Sequence, residues 1–249
     1  GFEDLRLHAT LGADVAKGKQ VTVNSPAYPD NTYNYYGYHG SESILKRNLS
    51  LSAYAQYYHD FNDKSKNHFD IMGGYEYQHF WKGTDNNYRG YYPGTNNDES
   101  LRGKAYNETY KWYRTENYLV SFFGRANWSL MDRYYVTATV RDDGSSRFKD
   151  HWAVFPSFAF MWKVNEENNL KDIKWLSDLK LRLGWGQTGQ QDVNNDYAWI
   201  PTYTKNSDKN TLYPAADDGT LYRPDNYTPK LKWETTTTYN IGVDWGVLD

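Results

Sequence analysis

Apolar and polar residues alternate with period two along most of this chain, the mark of β-strands whose successive side chains point to opposite faces. Eight runs carry the pattern, at about 3–13, 48–60, 68–81, 117–130, 133–141, 152–164, 179–187 and 235–246. A helical period shows only in the short stretch from Asn168 to Leu176, so the fold class is all-β. Most runs exceed the usual strand of ~5–6 residues and match the ~9–11 that a tilted strand needs to cross a bilayer.

The two faces separate cleanly in the clearest runs. Leu179, Leu181, Leu183 and Trp185 alternate with Lys180, Arg182, Gly184 and Gly186, and Tyr239, Ile241, Val243 and Trp245 alternate with Thr238, Asn240, Gly242 and Asp244. One face suits lipid and the other a wet lumen. Val154, Phe158, Phe160 and Trp162 share a face with Pro156, and because proline cannot donate to a ladder a bulge or bend is expected there. Arg141 to Phe148 reads as a turn between two long strands, with Asp143-Gly144 giving the tight geometry.

Connections alternate in length, as they do in a membrane barrel with short turns on one rim and long loops on the other. The short ones are Phe61 to Asn67, Met131-Asp132 and Asn165 to Asp178. The long ones are Asp14 to Arg47, Lys82 to Glu116 and Thr188 to Glu234, with the compact Asp142 to His151 link on the same side. Structureless loops of that size are uncommon in compact domains unless they carry function. The expectation is an antiparallel transmembrane β-barrel segment of eight strands.

Composition narrows the partners. Aromatic residues make up 18% of the chain, with 25 Tyr and 10 Trp, which fits both sugar-binding surfaces and membrane interfaces because these rings pair an apolar body with a polar tip. A net charge of −3 gives no basic footprint, which argues against nucleic acid. Without cysteine there is neither a disulfide framework nor a thiolate metal site. A mean hydropathy of −0.93 does not exclude the membrane, since a barrel strand shows lipid only its alternate residues.

Local motifs yield little chemistry. Gly184-Trp185-Gly186-Gln187-Thr188-Gly189 matches the dinucleotide fingerprint, yet no helix follows to meet a pyrophosphate, so its glycines are read as a crowded strand end. Asp192, Asn194 and Asp196 have the spacing that opens a calcium loop. Tyr197 and Tyr203 stand where the loop needs glycine and glutamate, which leaves at most a looser cation site. The six histidines are scattered, and the adjacent pairs Asp142/Asp143 and Glu166/Glu167 cannot flank a bond as glycosidase carboxylates do. No enzyme and no cofactor are expected. Tyr91, Tyr92, Trp112, Trp199 and Tyr203 fall in the long connections and are the candidate ligand contacts, rings that could stack on a sugar or grip a peptide side chain.

Arg141-Asp142-Asp143-Gly144-Ser145-Ser146-Arg147-Phe148, then Trp152 with Phe155-Pro156-Ser157, make the first part of a longer signature. It continues in Leu176-Ser177-Asp178-Leu179-Lys180-Leu181-Arg182, in Gly184 to Gly189, and in Leu231-Lys232-Trp233-Glu234-Thr235-Thr236. In order and spacing this resembles the SusC/RagA-type TonB-dependent outer-membrane transporters of Bacteroidota, over about half the chain. Gln190 stands where the family commonly has Asn, and Thr228-Pro229-Lys230 replaces its common Asn-Pro. Such transporters have about 22 strands around a plug. The resemblance therefore implies that residues 1–249 are part of one barrel domain, with the plug and signal peptide outside this chain. It also implies TonB-dependent import of oligosaccharides, glycans or peptides across the cell outer membrane. The partners it implies are a SusD-like surface lipoprotein, the TonB complex reached through the missing N-terminal part, and outer-membrane lipid. The alternative is a secreted soluble all-β carbohydrate-binding module, which would bury an apolar face against a second sheet.

Overall fold

The computed structural model describes residues 4–30, 35–61, 66–92, 98–170, 173, 175–193, 195–206 and 221–247. Ten strands account for most of them: β1 (Leu5–Asp30), β2 (Tyr35–Asp60), β3 (His68–Tyr91), β4 (Ala105–Leu130), β5 (Tyr134–Ser145), β6 (Trp152–Lys163), β7 (Leu176–Gln190), β8 (Tyr203–Asn206), β9 (Leu221–Pro224) and β10 (Glu234–Val247). Strands β1 to β7 pair in chain order and β10 closes the row beside β7, giving one eight-stranded sheet. Strands β8 and β9 pair only with each other. All eight runs read from the alternation are strands of the large sheet.

Their lengths differ from the expectation. The supposed loops Asp14 to Arg47 and Lys82 to Glu116 are largely strand, because β1, β2, β3 and β4 reach 24 to 26 residues. These extensions are rich in Asn, Tyr, Gly and charge, so neither face is apolar enough to show a period. A strand needs only its backbone groups paired, and polar side chains on both faces do not prevent that. Thr188 to Glu234 also holds the β8–β9 pair, whose four-residue strands are too short for a pattern.

Three local expectations change as well. The Asn168 to Leu176 stretch is not helical: its described residues make three-residue turns, with Leu170, Ile173 and Leu176 each donating to the carbonyl three residues back. Pro156 causes no register shift. It pairs with Val140 of β5 and lies one residue past the end of the β6–β7 ladder at Ser157↔Gly186, where a missing N–H leaves no acceptor waiting. Asp143 and Gly144 are not turn residues. They pair in strand with Ala153 and Trp152, and Gly144 is small because the Trp152 ring lies 3.0 Å from where a Cβ would stand.

Two compact units divide the chain, one of Gly1–Leu11, Leu51–Gln78 and Tyr118–Asp249, the other of Gly12–Ser50 and His79–Asn117. In the first, the register fixes which residues share a face. Trp128, Ala126 and Gly124 of β4 stand beside Val136, Ala138 and Val140 of β5, which stand beside Phe160, Phe158 and Pro156 of β6. Phe160 and Phe158 meet Leu183 and Trp185 of β7, which meet Ile241 and Tyr239 of β10. The result is a continuous apolar face. It is not covered: Tyr239 is 75% exposed and Ile241 81%, and Phe148 and Phe155 are the buried hydrophobic residues among those described. A soluble sandwich would bury a whole inner face of each sheet, so this burial pattern goes against the soluble-module alternative.

In the second unit the strands keep the same alternation. Asn48 of β2 donates to Asp14 of β1 across 3.3 Å. Tyr38 and Tyr88 stack with centroids 5.8 Å apart, and Arg114 of β4 reaches Asp85 of β3 across 2.7 Å.

Candidate functional site

The opposite face of the first unit is polar and organised around Arg141. The alternation that sends Val140 to the apolar face sends Arg141 to the other, beside Ser121 and Phe123 of β4. Its guanidinium donates to Glu76 at 2.6 Å, to Asp143 at 2.7 Å and to Ser121 at 2.9 Å, so one cation ties β3, β4 and β5 together. A second polar cluster sits on the same strands: Asp70 accepts from Gln56 at 2.6 Å and from Asn127 at 2.7 Å, and Asn127 accepts from Thr137 at 2.8 Å. Between them lies an open pocket of about 500 Å³ lined by Tyr54, Gln56, Glu76, Phe123, Arg125 and Arg141, among others. Arg125 makes no ion pair with a described residue and is exposed there. This face can bind polar groups through charge and amide contacts, with Tyr54 and Phe123 rings alongside. A signal for it stands in the alternation of Glu76, Arg125 and Arg141 with less polar neighbours, but charge on a strand face does not by itself mark a site.

Arg182 continues the polar face on β7, donating to Asp244 of β10 at 2.8 Å, and Lys180 reaches Asp178 at 2.8 Å. At the opposite end from the turn after β5, the Met131-Asp132 turn gives both central residues positive φ, 58° and 53°. Nearby Glu167 accepts from Tyr134 and from the Trp162 indole at 3.1 Å, with Arg133 3.4 Å away. Those donors hold the Glu167 carboxyl below its ordinary value.

A compact knot forms where β5 hands over to β6. Phe148, fully buried, packs on Trp233 with centroids 5.1 Å apart, and Phe155 meets the same indole edge-on at 5.5 Å. Gly189 makes room for Phe155: a Cβ there would fall 2.1 Å from the ring. The Trp233 indole donates to the His151 carbonyl at 3.0 Å, and the Trp199 indole to the Ser146 carbonyl at 3.1 Å. Arg147 donates to Asp196 at 2.8 Å and to the Gln191 carbonyl at 3.2 Å, with Asp192 at 3.4 Å. Four motifs far apart in sequence therefore meet at one point. The glycine pattern at 184–189 serves packing, and the described carboxylates of the calcium-like spacing, Asp192 and Asp196, face the Arg147 guanidinium. Asn194 lies outside the described residues. Among the described residues no group of three His, Cys, Asp or Glu side chains is placed to hold a metal.

The five candidate rings are divided between the two units. Trp199 belongs to the knot, with its indole N–H engaged and His151 edge-on at 6.0 Å. Tyr203 opens β8 and is 63% exposed. In the second unit Tyr91 ends β3 and is half-buried, and the backbone N–H of Tyr92 donates to the Lys104 carbonyl at 2.9 Å. Trp112 lies within β4, is 65% exposed and shares a face with Arg114, whose guanidinium is 5.8 Å from its ring centre. Tyr91 and Trp112 are thus strand residues, not loop residues.

Comparison with known proteins agrees with this geometry. Residues 2–249 match the family model for the TonB dependent receptor-like β-barrel. The chain is 47% identical to the TonB-dependent receptor SusC of Bacteroides thetaiotaomicron over 99% of its own length and 24% of that protein's. It is 28% identical to TonB-dependent receptor P3 of Formosa agariphila over 84% of the chain and 21% of that protein. Among solved structures, the RagAB peptide importer in its open-open state superposes with a TM-score of 0.79 at 22% identity, over 98% of this chain and 26% of that one, a likeness of fold. The chain spans about a quarter of the length of the relatives it matches. With its exposed apolar face, its charged opposite face and these matches, the chain belongs to the TonB-dependent receptor β-barrel family, of the SusC/RagA type.

Proposed function

We propose that this chain is the wall segment of an outer-membrane importer that takes up oligosaccharides or peptides, driven through TonB and working with a SusD-like surface lipoprotein. The observation that carries the reading is the two-faced sheet. An exposed band from Trp128 to Tyr239 suits acyl chains, and the Arg141 network on the other face suits a wet passage. The knot at Phe148 and Trp233 then fastens the rim from which the segment 191–233 departs. In this role the protein binds and moves its ligand, and the polar groups around Arg125 and Arg141 serve as a lining and not as a reaction centre.

The ligand contacts we propose are Tyr203, which is exposed, and the Tyr91–Tyr92 pair at the end of β3. Trp199 supports them by bracing the turn at Ser146, and Trp112, the fifth candidate, stands beside Arg114. The test is deletion and complementation in the native host. A strain lacking the full-length receptor should lose growth on an oligosaccharide or peptide too large for porins, while growth on the monomer continues. The receptor should be recovered from the outer-membrane fraction together with a surface lipoprotein. Unchanged growth on every such polymer, or recovery in the soluble fraction, would overturn the reading.

A further inference from the structure

We propose that the second unit carries a docking surface for the phosphate headgroup of a membrane lipid, made by Lys17, Lys19, Arg47 and the indoles of Trp81 and Trp112. The inference rests on the membrane reading above and adds a specific lipid contact to it.

The geometry follows from alternation. Asp14 and Asn48 face one way, joined by their hydrogen bond, so Val15, Lys17 and Lys19 of β1 and Arg47 and Leu49 of β2 face the other. On that face the basic residues stand among apolar ones: Lys17 and Lys19 lie between Val15 and Val21, both exposed, and Arg47 lies between Leu45 and Leu49. The same row continues on β3 and β4. Arg47 lies over the Trp81 ring at 5.0 Å, Arg114 approaches the same ring at 5.9 Å, and Trp112 follows 5.8 Å from Arg114. Cations stacked on indoles among apolar side chains have the arrangement of a bilayer's headgroup level, where rings lie between acyl chains and water and basic side chains reach phosphate.

Charge complementarity favours an anion. The described acids on this part of the face are engaged: Asp85 is held by Arg114 at 2.7 Å, and Glu116 lies 3.3 Å from His79. Lys17 and Lys19 are exposed and make no ion pair with a described residue, and Arg47 has an indole and no described carboxylate beside it. Three positive charges are therefore left facing the level at which lipid phosphates lie. Arg114 is spent on structure, since it also donates to the carbonyls of Thr84 and Tyr113, both at 3.0 Å.

The test uses the full-length receptor in detergent, titrated with monophosphoryl lipid A and with its dephosphorylated form, bound lipid being read by native mass spectrometry. Each basic residue near an anionic surface is worth about a fivefold change in binding. The triple variant Lys17→Gln, Lys19→Gln, Arg47→Gln should accordingly bind the phosphorylated lipid roughly ten- to a hundredfold more weakly. On the unaltered receptor, removal of the lipid's phosphate should produce the same loss, a readout that does not depend on how the variant folds. Equal binding by variant and parent, or equal binding of the two lipids, overturns the proposal. So does displacement of the lipid by inorganic phosphate at the lipid's own concentration, which would make the site one for free phosphate. A variant that keeps lipid but loses its lipoprotein partner would make this face a protein interface and also overturn it. Failure of the importer reading shows separately, as absence of the receptor from the outer-membrane fraction.

Discussion

Phe148→Ala is the sharpest test of the knot. The side chain is fully buried and is wedged against Trp233, which also holds Phe155. Truncating a buried Phe to Ala costs about 3–5 kcal/mol when the cavity stays open and less where neighbours can collapse. The knot is one layer of rings at the end of a sheet, so the lower end, about 3 kcal/mol, is the expected value. The loss should appear as local opening, because the ladders of β4, β5, β6 and β7 do not depend on this ring. A loss of about 3 kcal/mol corresponds to roughly a hundredfold faster amide exchange in the turn 146–151 and in the described part of 191–233. Strand amides such as those of Ala138 and Leu183 should keep their protection. Hydrogen exchange with mass spectrometry on the full-length receptor in detergent reads both regions at once. Less than a fivefold change in the turn, or equal acceleration through the strands, would refute the idea that Phe148 fastens the rim.

Three further outcomes follow from the same geometry. Gly189→Ala should destabilise the rim as Phe148→Ala does, because its Cβ would meet the Phe155 ring, whereas Gly18→Ala, with nothing within 4 Å, should be neutral; thermal unfolding of the two variants compares them directly. Glu167 has its folded-state pKa lowered by Tyr134, Trp162 and Arg133, so its contribution to stability is present above the unfolded carboxyl value of 4.5 and is lost as pH falls through the folded one. Glu167→Gln should remove that acid-side dependence, which a pH series of unfolding midpoints would show as a flatter profile below 4.5. Met131→Asn should raise stability by about 0.5–1 kcal/mol, because Asn accepts the left-handed conformation at φ 58° that Met tolerates poorly, and an unchanged or lowered unfolding midpoint would argue against it.

The sheet was legible wherever one face had to be apolar. The alternation in 179–187 and 235–246 returned as β7 and β10 with the predicted faces, since lipid-suited and water-suited residues cannot exchange places without moving every side chain. The second half of β1, the first halves of β2 and β4 and the far part of β3 were illegible for the converse reason: with few apolar residues on either face, pairing is decided by backbone partners on neighbouring strands, which a local pattern does not contain. The Arg141 network was half legible. Its charges stood on the right face, but that Arg141 reaches Glu76, 65 positions away, depends on the stagger of three strands. The aromatic candidates were misplaced because rings in polar surroundings look alike in loops and in long strands. Trp199 spends its N–H on the Ser146 carbonyl, a partner 53 positions away that no local pattern shows.

Convergence at the knot explains why the recognisable residues are scattered along the chain. Each pair of neighbouring strands in an antiparallel sheet is secured by its own ladder, and a side chain facing lipid or water can change widely without disturbing it. Where strands end, ladder support stops, and a long connection such as 191–233 must be fixed by side chains. The chain meets this need with one ring from the β5–β6 turn, one from β6, one from the approach to β10, and a glycine near the end of β7 that leaves space for them. Each is constrained by the others' volumes, so any one of them could be altered only if its neighbours changed with it. Arg147 adds a polar clamp from the same turn to Asp196, inside the connection itself. The residues with the least freedom are therefore those that hold the rim, while an exposed ring such as Tyr203 on the connection is under no such constraint.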